Sequence, residues 1–110
     1  MTGSRWMELP RIVAVGSGAI LELPQICSYL HLVGPGLIVT GPHTDDVVGK
    51  AIFQLLEKGG HQPQTLVCTA SKLDEVDRAE AMAREMEAGF LVGAGGGRSI
   101  DIAKIASMRT

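Results

Sequence analysis

FLVGAGGGRSIDIAK, residues Phe90 to Lys104, is the stretch on which the reading of this chain turns. Phe90, Leu91 and Val92 form an apolar run that ends in glycine. Gly95, Gly96 and Gly97 follow in succession, and SIDIAKIASM then reads as the start of a helix. A strand, a glycine turn and a helix N-terminus in that order bring free backbone N–H groups and a helix dipole to one point, where they favour an anion. Ser99 reads as the helix N-cap. Asp101 reads as a first-turn acid, suited to the dipole and able to reach back to the loop amides. Arg98 either meets a phosphate or points into water. The generic fingerprints do not match. GxGxxG is absent, because Gly93 and Gly95 are followed by Arg98 where the third glycine belongs, and no Gly-Lys-Ser/Thr follows for a P-loop. GSGAIL, residues 16–21, starts like the dinucleotide fingerprint but has Leu21 at the third glycine position.

Outward from that stretch, the chain alternates strand-like and helix-like segments. Ile12 to Val15 is a β-branched apolar run closed by glycine. LPQICSYLHL then places Pro24 in a first helical turn, with Ile26, Cys27 and Leu30 at helical spacing, until Pro35 and Gly36 break it. Leu37 to Thr40 is a second buried strand. The helix that follows is predicted to have Thr44 as its N-cap and Asp45 and Asp46 in its first turn. Its apolar face is expected to comprise Val47, Val48, Ala51, Ile52, Leu55 and Leu56, and its stop Lys58 and Gly59. TLVCTA is a third strand. LDEVDRAEAMAREMEAG is a third helix, with Leu73, Val76, Ala79, Ala83 and Met86 on one face and Asp74–Arg78 and Glu80–Arg84 as i, i+4 ion pairs. The strands are apolar on both faces, which predicts a parallel sheet covered by helices. The expected fold is therefore α/β: a Rossmann-like open parallel sheet of about four strands with alternating helices and right-handed crossovers, forming an incomplete nucleotide-binding domain.

Composition narrows the function. The chain has 110 residues, 45% hydrophobic, with a net charge of -2, so one domain with one modest core is expected across residues 1–110. Without a basic balance and with only 4% aromatic residues, nucleic acid and anionic membrane surfaces are disfavoured as partners. No apolar run reaches membrane-spanning length and MTGSRWMELPR lacks a signal-peptide core, so no membrane insertion and a cytoplasmic location are expected. Cys27 and Cys68 lie in apolar runs outside any CxxC spacing and read as buried reduced thiols, though one disulfide remains open. His31, His43 and His61 have no metal-ligand spacing and read as solvent-facing loop residues. Asp45/Asp46 and Asp74/Glu75 sit in first helical turns, where acids suit the dipole, and Ser17 is not in a nucleophile elbow. No catalytic residue and no metal ligand is assigned.

VGAGGGRSIDIAK resembles the GGGxxxD-type loop of the superfamily that unites dehydroquinate synthase, glycerol dehydrogenase and iron-dependent alcohol dehydrogenase. ELPRIVAVGSGAI resembles the opening, and LIVTGPHT the second strand and its turn, of the sn-glycerol-1-phosphate dehydrogenase branch. The resemblance covers the chain but only about the N-terminal third of such an enzyme. It implies a two-domain oxidoreductase. Its N-terminal α/β domain would bind NAD or NADP, with the pyrophosphate on the triple-glycine loop. A C-terminal helical domain would hold zinc through an Asp and two His. The implied reaction is the reversible reduction of dihydroxyacetone phosphate to sn-glycerol 1-phosphate, the start of archaeal membrane-lipid synthesis.

On this resemblance, Gly95, Gly96, Gly97, Arg98, Ser99, Ile100 and Asp101 match the pyrophosphate loop, and Gly41, Pro42 and Thr44 match the turn near the adenosine ribose. The second strand ends Thr40-Gly41 without an acid to hold a ribose 2′-OH, so use of both NAD and NADP is expected, the alternative being that Asp45 or Asp46 turns from its helix-capping place toward the ribose. The zinc ligands and the pocket for a small phosphorylated substrate are not among these residues, and the chain by itself is expected to be inactive. The alternatives are glycerol dehydrogenase or another branch of the superfamily, or a non-catalytic nucleotide-binding or interaction module that keeps only the fold. Ile100, Ile102, Ala103, Ile105 and Ala106 are expected to leave the last helix with an uncovered apolar side that drives self-association.

Overall fold

The computed structural model describes the backbone of residues 11–15, 32, 34–95 and 97–109, and the side chains of these except 11–15 and 44–46. Four strands form one sheet: β1 (Arg11–Val15), β2 (Gly36–Thr40), β3 (Gln64–Val67) and β4 (Phe90–Ala94). Their spatial order is β1-β4-β2-β3 and every pairing is parallel. The α/β parallel sheet of about four strands expected from the apolar runs is therefore present. The order within it, with β4 between β1 and β2, is not something the runs reveal. The expected helix around Pro24 lies outside the described residues.

Alternate residues of each strand face opposite sides, and both sides are covered. Leu37 and Val39 of β2, Leu66 of β3 and Leu91 of β4 join one core cluster with Val76, Ala79, Ala83, Ile102, Ala103 and Ala106. Ile38 of β2 and Phe90, Val92 and Ala94 of β4 join the other, with Ile52 and Leu56. Gly36 is glycine because the Phe90 ring lies over it; a Cβ there would stand 2.6 Å from the ring edge.

The helix after β2, here α1, runs over residues 42–58 in three parts: an α turn Pro42–Thr44, a π-helical segment Asp45–Gly49 and a regular α-helix Lys50–Lys58. It starts at Pro42, whose fixed φ and missing N–H suit a first helical position, so Thr44 is inside the helix and not its N-cap. The wider π turn also shifts the phase of the side chains. Val47, placed on the apolar face by a regular 3.6-residue period, is 72% exposed, while Ile52 and Leu56 are buried. The helix ends in a Schellman motif. Gly60 takes φ +81°, the Gly60 amide donates to the Glu57 carbonyl, and the His61 amide donates to the Leu56 carbonyl.

The helix after β3, α2 (Lys72–Glu85), is capped by Ser71, whose hydroxyl accepts from the Asp74 amide at 3.3 Å. Glu80 and Arg84 pair as expected at 3.2 Å, but Arg78 turns to Glu75 at 2.8 Å and not to Asp74. Val76, Ala79 and Ala83 are buried as expected; Leu73 is 66% exposed.

The last helix, α3 (Gly97–Arg109), packs on the sheet and along α2. Ile102, Ala103 and Ala106 are fully buried and Ile100 and Ile105 partly so. Most of the apolar side expected to lie uncovered is thus occupied by the sheet and α2. Arg109 pairs with Asp77 at 3.1 Å, and Lys72 with Asp101 at 3.3 Å, across the α2–α3 seam.

Candidate nucleotide site

The parallel strands all end on one edge, and that edge carries the glycine turn. Gly95 follows β4 with φ +104°, a conformation that only glycine adopts without strain. Gly96 lies outside the described residues. Gly97 is the first residue of α3, exposed, and among the described residues a Cβ added to it would meet nothing within 4 Å. The backbone at the start of α3 is therefore open to a ligand, and a helix's first N–H groups have no partner within the helix.

Gly93 sets the depth of the helix. Its missing Cβ would lie 2.9 Å from the Ile100 Cα and 3.2 Å from the Ala103 Cβ, so α3 rests directly on β4. Ile100 serves this seating contact. Ser99 is not the N-cap: α3 begins two residues earlier, and Ser99 is buried in the first turn beside Gly41. Its Oγ is 3.9 Å from where a Gly41 Cβ would be. Gly41 follows β2 and Pro42 opens α1, exposed, so the turn after β2 and the start of α3 meet at the same edge. Thr44 belongs to α1 by its backbone; its side chain is outside the described ones. Asp101 is the fifth residue of α3 and not in its first turn; among the described residues its carboxylate pairs with Lys72. Arg98 is exposed at the second position of α3.

A further group at this edge escaped the sequence reading. Glu75, in α2, has no exposed surface. Its Oε2 accepts from the Thr69 amide at 2.7 Å and the Ala70 amide at 3.1 Å, and its Oε1 accepts from Arg78 Nη1 at 2.8 Å. Burial alone would raise its pKa, but the Ala70 and Thr69 amides and the Arg78 guanidinium outweigh that and hold it below the usual glutamate value. The carboxylate thus fixes the turn that leaves β3. Its neighbour Cys68 is a free, buried thiol. Burial, joined by the Glu75 carboxylate, pushes that thiol up to about 11, against the pull of Arg98 and Arg78. Cys68 is also tied to the adjacent strand, its amide donating to the Thr40 carbonyl at 2.7 Å. Cys27 and His31 lie outside the described residues. His61 is not solvent-facing but half-buried, its ring edge-on to Phe90 at 5.3 Å.

Among the described residues no three His, Cys, Asp or Glu side chains stand together in a way that would hold a metal ion. The zinc chemistry implied by the resemblance finds no donor set there. No described helix is long and apolar enough to cross a membrane.

Open parallel sheets flanked by helices take their ligands beyond the carboxyl ends of the strands, and in this Rossmann-like α/β fold the glycine turn and the start of α3 lie at that edge. Residues 14–110 match the family model described as iron-containing alcohol dehydrogenase, and the chain belongs to that family. It is 46% identical over 106 residues to a Methanosarcina mazei protein named glycerol-1-phosphate dehydrogenase [NAD(P)+], and 36% identical over 104 residues to one of the same name from Halobacterium salinarum. The two alignments cover 96% and 94% of this chain and 30% of each relative, so the chain spans about a third of the length of the curated relatives it matches. Its fold is similar to NADH-dependent butanol dehydrogenase A from Thermotoga maritima, with a TM-score of 0.69 at 22% identity over 89% of this chain and 25% of that one. It is also similar to sulfoacetaldehyde reductase from Bifidobacterium kashiwanohense in complex with NAD+, with a TM-score of 0.64 at 23% identity over 89% and 26%.

Proposed function

We propose that this chain is the N-terminal, dinucleotide-holding part of an NAD(P)-dependent glycerol-1-phosphate dehydrogenase. The observation that carries the site is the turn from β4 into α3, in which Gly95 at φ +104° and the open backbone at Gly97 face the carboxyl edge of the sheet beside Gly41. The α3 N-terminus, with Gly95, Gly96 and Gly97, donates N–H groups to the pyrophosphate. Gly41, Pro42 and Thr44 border the adenosine ribose. Gly93 and Ile100 set the distance of the helix from the strand. Asp101 contributes by steadying α3 against α2 through Lys72. When bound, NAD(P)H supplies a hydride to the ketone carbon of dihydroxyacetone phosphate, whose oxygen gains a proton to give sn-glycerol 1-phosphate. The substrate assignment is supported by the names of the relatives, which favour this branch over glycerol dehydrogenase.

Two measurements test the reading. Titration of the 110-residue polypeptide with NADH is expected to shift the amide resonances of Gly41, Gly95, Gly97 and Arg98, with no oxidation of NADH when dihydroxyacetone phosphate is added. A chimera in which this chain replaces the matched segment of the Methanosarcina mazei relative is expected to oxidise NADH with that substrate. Silence of those amides sinks the nucleotide site; a folded chimera that binds NADH but leaves dihydroxyacetone phosphate untouched sinks the substrate.

A further inference from the structure

We infer that Arg98 selects for a ribose 2′-phosphate, and so is the residue through which this site takes NADP(H) as well as NAD(H). The inference rests on the dinucleotide site proposed above and assigns Arg98 to the adenosine end of it, not to the pyrophosphate.

Three observations carry it. The arginines whose side chains are described are Arg78, Arg84, Arg98 and Arg109. Three of them are neutralised by carboxylates: Arg78 by Glu75, Arg84 by Glu80, and Arg109 by Asp77 and Glu80. Among the described residues Arg98 has no such partner, so its exposed guanidinium is left for an anion from outside. Second, its backbone stands next to the strand end where the proposed site puts the adenosine ribose. Ser99, the next residue, is buried beside Gly41 at the end of β2, and β2 and β3 are joined at that edge by the Cys68–Thr40 hydrogen bond. The positive charge of Arg98 is felt at Cys68, across β2 from its own strand. Third, β2 ends Thr40-Gly41, so the position from which an acid would hold a 2′-OH and repel a 2′-phosphate is taken by a buried threonine and a glycine. Glu75, the carboxylate at the end of β3, is already engaged by two amides and Arg78. An arginine binds phosphate through a planar fork of donors, and it confers the preference only if the phosphate is the 2′ one, which NADH lacks.

The test compares ligands that differ only in that group: NADPH with NADH, and adenosine 2′,5′-bisphosphate with 5′-AMP, titrated calorimetrically against the chain and its Arg98→Gln and Arg98→Lys variants. Because Arg98 is exposed and makes no ion pair among the described residues, both variants are expected to fold, checked by circular dichroism and urea unfolding. Arg98→Gln is expected to weaken NADPH and the bisphosphate by about tenfold or more while changing NADH and 5′-AMP by less than about twofold, and Arg98→Lys, which keeps the charge but not the fork, to recover only part of the loss. An equal loss for NADH and NADPH would return Arg98 to the pyrophosphate and overturn this inference while leaving the proposed function intact. No change for any ligand also overturns it. Failure of the unaltered chain to bind NADH and NADPH alike removes the proposed function itself, and this inference with it.

Discussion

Glu75 has no exposed surface, and a carboxylate in that position must be matched by donors or give up its charge. The Thr69 and Ala70 amides and Arg78 supply them. The folded state therefore holds Glu75 below its ordinary value of about 4.3. A depressed carboxylate contributes stability that is present above the unfolded pKa and is lost as pH falls through the folded one. Replacement by glutamine keeps an acceptor but removes the charge, so urea unfolding at neutral pH is expected to show Glu75→Gln less stable by about 1–3 kcal/mol. The gap should close as the pH falls below the ordinary glutamate value and on through the lower folded-state one, because protonation takes the same charge from the unaltered protein. Two curves that stay parallel over that range would mean the charge of Glu75 does not matter. The sequence did contain a signal for this residue. Glu75 is four residues before Ala79 and eight before Ala83, on the buried stripe of α2, and a carboxylate on an apolar stripe is an anomaly that asks for partners. A first-turn dipole role explained it too easily.

The elements themselves were legible where apolar residues recur in an unbroken period. The four strands, a helix after β3 and the glycine turn after β4 are where the apolar runs put them, although that helix, read over residues 73–89, spans Lys72–Glu85. Their boundaries and phases were harder, for local reasons. Pro42 starts α1 two residues before the threonine that looks like a cap. The π segment at Asp45–Gly49 then rotates Val47 out of the face a regular helix would give it. Gly97 starts α3 before Ser99, since a glycine turn needs no side-chain cap to enter a helix. Gly93 is the glycine whose role is most exacting at this scale, because the backbone of α3 lies where its side chain would be. Gly93→Ala forces the helix outward, which overpacking of this kind makes costly by about 1–3 kcal/mol. Since α3 carries the candidate pyrophosphate site at its N-terminus, the variant is expected to bind NADH several-fold more weakly at temperatures where it is still folded, measured by nucleotide titration alongside urea unfolding. Unchanged stability with unchanged affinity would show that the helix can lift without consequence.

For the molecule as a whole, stability is expected to be graded across the sheet. The strand order puts β4 and β2 inside, each hydrogen-bonded on both sides, and every residue of both is buried. In the described sheet β3 has a neighbour only on the β2 side, and its first residue, Gln64, is exposed. Alternate N–H groups of such an edge strand point away from its partner and are not held by the ladder. Amide exchange reports the free energy of the opening that exposes each group, from local fraying up to global unfolding. The amides of β2 and β4 should therefore exchange only with the whole fold, while alternate amides of β3 exchange faster by orders of magnitude. This order could not be taken from the sequence, because the apolar runs of β2 and β4 look no more central than that of β1. It depends on β4, the last of the described strands, returning to lie between the first two of them. That return brings the turn after β4 to the same edge as Gly41, and so assembles the candidate site from segments more than fifty residues apart. If exchange is as slow throughout β3 as in β2, the outer edge of β3 must be covered. The sheet would then extend beyond the four strands described, and the candidate nucleotide site would have a wall on the β3 side that these strands alone do not provide.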